Sequence, residues 1–277
     1  MLGSAFLFST AGIFTKGVSA VAWQVIFWRA LFSAVLASGA IAARGRLGAE
    51  YLRMGWRGVM SALIGAAGTV MFLSAFKHTS VANVAMIYSA TPLMAALLAW
   101  GFLREVPGRN VILGALLGIG GIVVIVSGTP GQTHLFGDML AFGMSLALAL
   151  LFVLYRAWPD TPSAGPVALS SVLLLPVSGM MANPFAVPAA EIAILAGFGL
   201  VFALASYWML EGAKRLPSGQ TALLSTTEAP FAIVLAWLIL KEAPAVATLI
   251  GGSLLLLGVV IGSLGKPRQP GKVPSST

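Results

Sequence analysis

One carboxylate in this chain stands where carboxylates are rare. Glu228 lies in the apolar run 217–240, two residues before Pro230 and about 12 residues from the nearer charged connector. At 1.5 Å per helical residue that is roughly 18 Å of depth. An acid at such depth is expensive, and it marks a functional site by default. It can hold a substrate ammonium, or take up a proton and couple transport to a proton gradient. Structural bonding to neighbouring backbone or to a hydroxyl is the competing role. Pro230 has a counterpart in Pro92, each near the middle of an apolar run. Proline lacks the N–H that would bond the carbonyl four residues earlier, so Tyr88 and Thr226 are expected to have freed carbonyls. Thr91 stands in the first half where Glu228 stands in the second. Asn83, Tyr88, Tyr207, Trp208, Ser9 and Thr10 add an amide, hydroxyls and aromatic faces. Taken singly, the aromatic residues are read as packing or interface belt, while Tyr88 gains weight from its freed carbonyl.

The elements that must carry these residues are membrane helices. Of the 277 residues 58% are hydrophobic and 9% charged, with a mean hydropathy of +0.97. A soluble domain carries roughly 25% charged residues, so this chain must use lipid as its solvent. Ten stretches reach the length of about 20 apolar residues that a span requires, near 2–18, 21–43, 57–76, 80–103, 109–128, 137–156, 163–182, 190–212, 217–240 and 245–264. Short connectors rich in charge, Gly or Pro separate them, and the basic, Pro-rich stretch 266–277 is expected to be a disordered cytoplasmic tail. The N-terminus lacks a basic n-region, so the first run is expected to stay as a span.

The net charge of +8 does not call for nucleic acid. With the N-terminus in the cytoplasm, twelve of the sixteen basic residues fall on inward connectors and the tail, three (Lys16, Lys77, Lys241) fall outward, and Arg29 lies inside a span. The positive-inside rule then puts both termini in the cytoplasm of a cell whose inner membrane the chain crosses many times.

The chain repeats itself. LAWGFLREVP at 98–107 returns as LAWLILKEAP at 235–244, with six of ten positions identical at an offset of 137. The same offset pairs Lys77 with Lys214, Ala85 with Ala222, Gly114 with Gly251, Gly121 with Gly258 and Gly128 with Gly265. A gapless match of this length indicates internal duplication. Five spans per half, an odd number, predict two inverted-topology repeats, 1–128 and 137–265, joined by an outward linker 129–136. Paired interruptions in such halves are the best sequence pointer to a midplane site. The glycines, spaced by seven, stay on one helix face and let helices approach closely; the fifth and tenth spans either pack within one chain or form a homodimer face. Glu105 and Glu242 end the repeated span beside Arg104 and Lys241, and are read as local ion pairs that fix the turn.

At this point the sequence resembles the EamA-type permeases of the drug/metabolite transporter superfamily. The resemblance rests on the two five-span repeats, on the stretch TPLMAALLAWGFLREVPGRNVILGALLGIGGIVVIVSG (91–128) and its echo at 229–265, and on SAFLFSTAGIFTKG followed by WRALFSA. It implies a carrier of amino acids or other small metabolites, often outward, with a cavity lined by the first, third, fourth, sixth, eighth and ninth spans. Arg29 falls where such permeases commonly have an arginine. It can receive a substrate carboxylate, but it lies about 7 residues below Ala22, within reach of a snorkelling path, which favours an architectural role.

Other functions lack parts. There is no cysteine, no HExxH, no nucleophile elbow and no GxxxxGK[ST] phosphate loop, so neither an enzyme, a cofactor, a metal nor ATP hydrolysis is expected. A non-transporting structural or signalling membrane subunit is the alternative to a carrier.

Overall fold

The structure is a computed structural model, and it describes residues 1–16, 18–78, 84, 87–88, 90–127, 135–228, 230–231, 234–235, 238 and 246–264. Among these residues the only regular elements are helices. In chain order they are α1 (Leu2–Ser9), α2 (Ala11–Lys16), α3 (Ala22–Ala43), α4 (Gly55–His78), α5 (Thr91–Leu103), α6 (Arg109–Ser127), α7 (Leu135–Ala157), α8 (Ala164–Met181), α9 (Ala189–Ala213), α10 (Ser218–Ser225) and α11 (Val246–Ser263), with a π-helical turn at Gly48–Leu52. Five of them, within α3, α4, α7, α8 and α9, are long and apolar enough to cross a membrane, and Thr91–Leu103, Arg109–Gly121 and Leu249–Gly262 are shorter apolar helices.

Helix ends follow local chemistry. Helix α3 closes with Arg46 N–H on the Ile41 carbonyl and Gly45 N–H on that of Ala42. This closure needs a left-handed residue, and Gly45 supplies it at φ +63° without a Cβ penalty. Helices α9 and α10 start directly after Pro188 and Pro217, residues that cannot extend a helix backwards. Pro92 occupies the first turn of α5, where its missing N–H leaves no intrahelical bond unmade. The turn at Ala90 lies just before it, so the helix breaks ahead of Pro92 rather than at it.

Many alanines line the interior, beside larger side chains such as Phe152, Tyr155 and Leu195. Ala5, Ala30, Ala95, Ala115, Ala141, Ala149 and Ala168 are buried, while Leu97, Trp100, Phe102, Leu249 and Val260 face outward. That is the reverse of a soluble core, and it suits helices that associate by close approach while lipid solvates the larger apolar side chains. Helix α3 packs on α8 and α9, α4 on α7 and α8, α5 on α7 and α10, α1 on α9, and α6 on α11.

The α6–α11 contact is made by backbone. A Cβ placed on Gly114 would strike the carbonyl oxygen of Gly258, and one on Gly121 that of Gly251. As α6 advances from 114 to 121, α11 recedes from 258 to 251, so the two helices run antiparallel. The glycine rows considered as a homodimer face therefore meet each other inside one chain.

Gly114→Ala is expected to lower stability by about 1–3 kcal/mol, since the added methyl is blocked by backbone that cannot step aside. Gly120→Ala, where a Cβ meets nothing within 4 Å, should leave it unchanged or slightly raised. Thermal unfolding in detergent checks the pair; equal loss at both sites would contradict the packing.

Candidate functional site

Three apolar runs are interrupted, and each interruption carries hydroxyls. In the first run α1 ends at Ser9 and α2 begins at Ala11. There the Ser9 hydroxyl donates to the Phe6 carbonyl at 2.6 Å and Thr10 to that of Leu7 at 2.7 Å. In the fourth run α5 starts at Thr91, whose hydroxyl donates to the Tyr88 carbonyl at 2.5 Å. This is the acceptor that Pro92 leaves without its backbone donor. In the ninth run α10 stops at Ser225 and a turn follows at Thr226 and Thr227. The hydroxyls of Ser225, Thr226 and Thr227 donate in succession to the carbonyls of Ala222, Leu223 and Leu224 at 2.6 to 2.7 Å. Ser and Thr bonding back to their own helix favour such bends. At Tyr88, whose carbonyl lacks its helical backbone donor, the bond also removes the penalty of a bare carbonyl.

The fourth and ninth runs meet. The Tyr88 hydroxyl donates to Ser225 Oγ at 3.4 Å, and the two residues differ by 137, the repeat offset. Around this contact Thr91, Pro92, Ser225, Thr226, Thr227 and Pro230 are all buried. Glu228 is partly buried and lies within electrostatic reach of the Tyr88 phenol. Phe231 meets Phe6 of α1 edge to face at 5.6 Å, which brings the first run against the ninth. Tyr88, Thr91, Pro92, Thr226, Glu228 and Pro230 thus belong to one neighbourhood: the two breaks. Ser9 serves the separate break in α1–α2. Trp208 is 45% exposed and lies against Gly3, on the seam of α1 and α9, and Tyr207 beside it is partly buried. Asn83, Glu242 and Lys241 fall outside the described residues.

Two residues have roles that sequence reasoning missed. Ser225 completes the contact between halves; the signal was its position at the repeat offset from Tyr88. Arg29 does not snorkel. It is 1% exposed, and its guanidinium lies 3.7 Å from the Phe202 ring centroid and 5.9 Å from that of Phe198, both on α9. Glu105 also differs from the reading given to it. It pairs at 2.8 Å with Arg156 at the end of α7, a tie across 51 residues, while its neighbour Arg104 caps α5 in a left-handed conformation at φ 55°.

A shell of buried hydroxyls with one carboxylate, set between broken helices, can bind a small polar solute. Among the described residues no group of three or more His, Cys, Asp or Glu could hold a metal ion. The sequence profile of the EamA-like transporter family matches residues 1–127 and again residues 135–264. The chain belongs to the EamA-like transporter family. As a family member it is a multi-pass membrane transporter. It is 24% identical over 224 residues to the uncharacterized transporter YetK of Bacillus subtilis (strain 168), covering 75% of this chain and 67% of that protein. It is 28% identical over 170 residues to solute carrier family 35 member G1 of Mus musculus, covering 55% of this chain and 45% of the mouse protein. A solved crystal structure shares the fold with a TM-score of 0.79, at 21% identity over 95% of this chain and 96% of the other.

Thr91→Val keeps the shape of the side chain and removes the donor to the Tyr88 carbonyl. It is expected to lower stability by about 1–3 kcal/mol, the cost of a buried acceptor left bare, with Thr91→Ser largely restoring it. Denaturation of the purified variants decides, and a Val variant as stable as the parent would show that the carbonyl finds another donor.

Proposed function

We propose that this EamA-like transporter is a secondary carrier that exports small metabolites such as amino acids by alternating access across the cytoplasmic membrane. Both termini lie in the cytoplasm, and ten spans form two inverted five-helix repeats, 1–128 and 137–265, with 129–136 as the outward linker and 266–277 as the tail. Substrate binds at Glu228, Tyr88, Thr91, Thr226, Pro92 and Pro230, with Asn83, Tyr207, Trp208 and Ser9 as further wall residues. The observation that carries this reading is the meeting of two interrupted helices at Tyr88 and Ser225, the same position in each half.

The inverted repeat is supported by the pairing of contacts. Exchanging the halves turns the α1–α9 contact into α7–α4 and the α3–α9 contact into α8–α4, and it maps α3–α8 and α6–α11 onto themselves; all are made. Gly114 against Gly258 becomes Gly251 against Gly121. At one end the carboxylate of Glu50, just before α4, accepts from the Gly165 N–H at the start of α8. At the other, Glu191 at the start of α9 accepts from Ser19 and Ala20 just before α3. These two caps exchange as well.

Alternating access draws support from the ties that join the halves near both ends. Glu105–Arg156 and Glu50–Gly165 lie at one end. Glu191–Ser19, Gln24 to the Asn183 carbonyl and Trp28 to the Pro184 carbonyl lie at the other. Partly exposed polar contacts are worth about 0–1 kcal/mol each, so either set can open while the other holds.

Purified protein in proteoliposomes, loaded with unlabelled amino acids, should take up labelled amino acids by exchange. Glu228→Gln is expected to reduce exchange about tenfold or more, as for loss of a charge-assisted contact, while unfolding at the same temperature. Full exchange by a folded Glu228→Gln variant would remove Glu228 from the site, and no exchange of any solute by the parent would remove the carrier reading.

A further inference from the structure

Arg29 is the largest of the fully buried side chains, and none of its three guanidinium nitrogens has a hydrogen-bond partner. Arginine stays charged in proteins and offers five N–H donors in a fixed fork. Taking such a group out of water without a partner carries a penalty of several kcal/mol. Among the described residues only two other buried side-chain polar atoms, the Thr161 and Ser218 hydroxyls, also lack a partner, and both are neutral. No carboxylate among the described residues forms an ion pair with Arg29.

The surroundings have a definite shape. Gly199 lets α9 approach the backbone of α3 at Arg29 and Ser33, which brings Phe198 and Phe202, one turn apart on α9, to the guanidinium. Phe198 stacks on Phe14 at 5.3 Å and Phe202 meets Phe8 edge to face at 5.6 Å. Phe8 and Phe14 lie on opposite sides of the α1–α2 break at Thr10. The unpaired charge therefore stands on an aromatic wall opposite a place where the first run is bent.

We propose that Arg29 is the receptor for the carboxylate of the transported solute, and that the solute is a monocarboxylate with an apolar body lying along the phenyl wall. The guanidinium fork matches a carboxylate in bidentate geometry. One buried positive charge balances one negative charge, whereas a phosphate dianion would leave a net charge in the apolar surround. The cation–π contacts to Phe202 and Phe198 hold the fork in place but supply no hydrogen-bond acceptor. The inference deepens the carrier reading and rests on it for the word transported; the binding site itself stands on geometry alone.

The test uses the purified full chain in nanodiscs of phosphatidylcholine, with 3-phenylpropionate, 3-phenylpropionamide, inorganic phosphate and chloride as probes of thermal stability. The parent is expected to be stabilised by the carboxylate and not by the amide, phosphate or chloride. R29M should lose the response, and without probe should unfold no earlier than the parent, because an unpaired charge has been removed. R29K should respond with affinity about tenfold lower or less, since a compact ammonium cannot present the fork. Equal stabilisation by acid and amide, a carboxylate response kept in R29M or undiminished in R29K, a response to phosphate or chloride alone, or no response in the parent would each overturn the proposal. A response abolished by adding phosphatidylglycerol would assign the site to a lipid headgroup and overturn it too. Carboxylate binding without exchange of any solute would instead remove the carrier reading and leave the site.

Discussion

A carbonyl in hydrocarbon must have a donor, and this requirement governs where the chain can depart from a straight helix. At the breaks at Thr10, at Ala90 and at Thr226–Thr227 a Thr hydroxyl donates to the carbonyl three residues back. Each hydroxyl satisfies an acceptor and tightens the turn at once. The fourth and ninth runs need this most, because their breaks are buried and touch one another through Tyr88 and Ser225. A continuous helix would present only side chains there. A broken one brings polar backbone, hydroxyls and Glu228 to the same depth, which is what a polar solute crossing an apolar barrier requires.

Helix positions were the most legible part of the sequence, since solvent and length both constrain them. The expected run 21–43 is α3 at Ala22–Ala43, and 190–212 is α9 at Ala189–Ala213. The candidate site was legible in outline, because the two prolines named the right pair of helices. Each break lies a few residues ahead of its proline: proline excludes a backbone bond behind it but does not say whether the helix bends or restarts. The break at Thr10 has no proline, and a Ser–Thr pair in an apolar run is a weak signal, since such residues also sit in unbroken helices.

Three other points show what one-dimensional order cannot carry. Arg104 adjoins Glu105 in sequence, yet its left-handed backbone leaves the acid to Arg156 on another helix. The periodicity of the glycines fixed a face but not its partner. Arg29 could be assigned a depth from its distance to Ala22, but whether the guanidinium turns up to the interface or in towards α9 depends on Gly199, which opens the space 170 residues later.

Backbone against backbone at Gly114–Gly258 and Gly121–Gly251 also has a mechanical meaning. Packed side chains can repack through their rotamers when two helices slide; at these glycines the nearest atoms are backbone, which cannot. A shift of one residue along α6 would drive Ala115 or Leu113 into a carbonyl oxygen. Helices α6 and α11 therefore act as a fixed spine. The alternating access proposed above would then take place among α1 to α5 and α7 to α10, with the glycine seam as the pivot that does not slip.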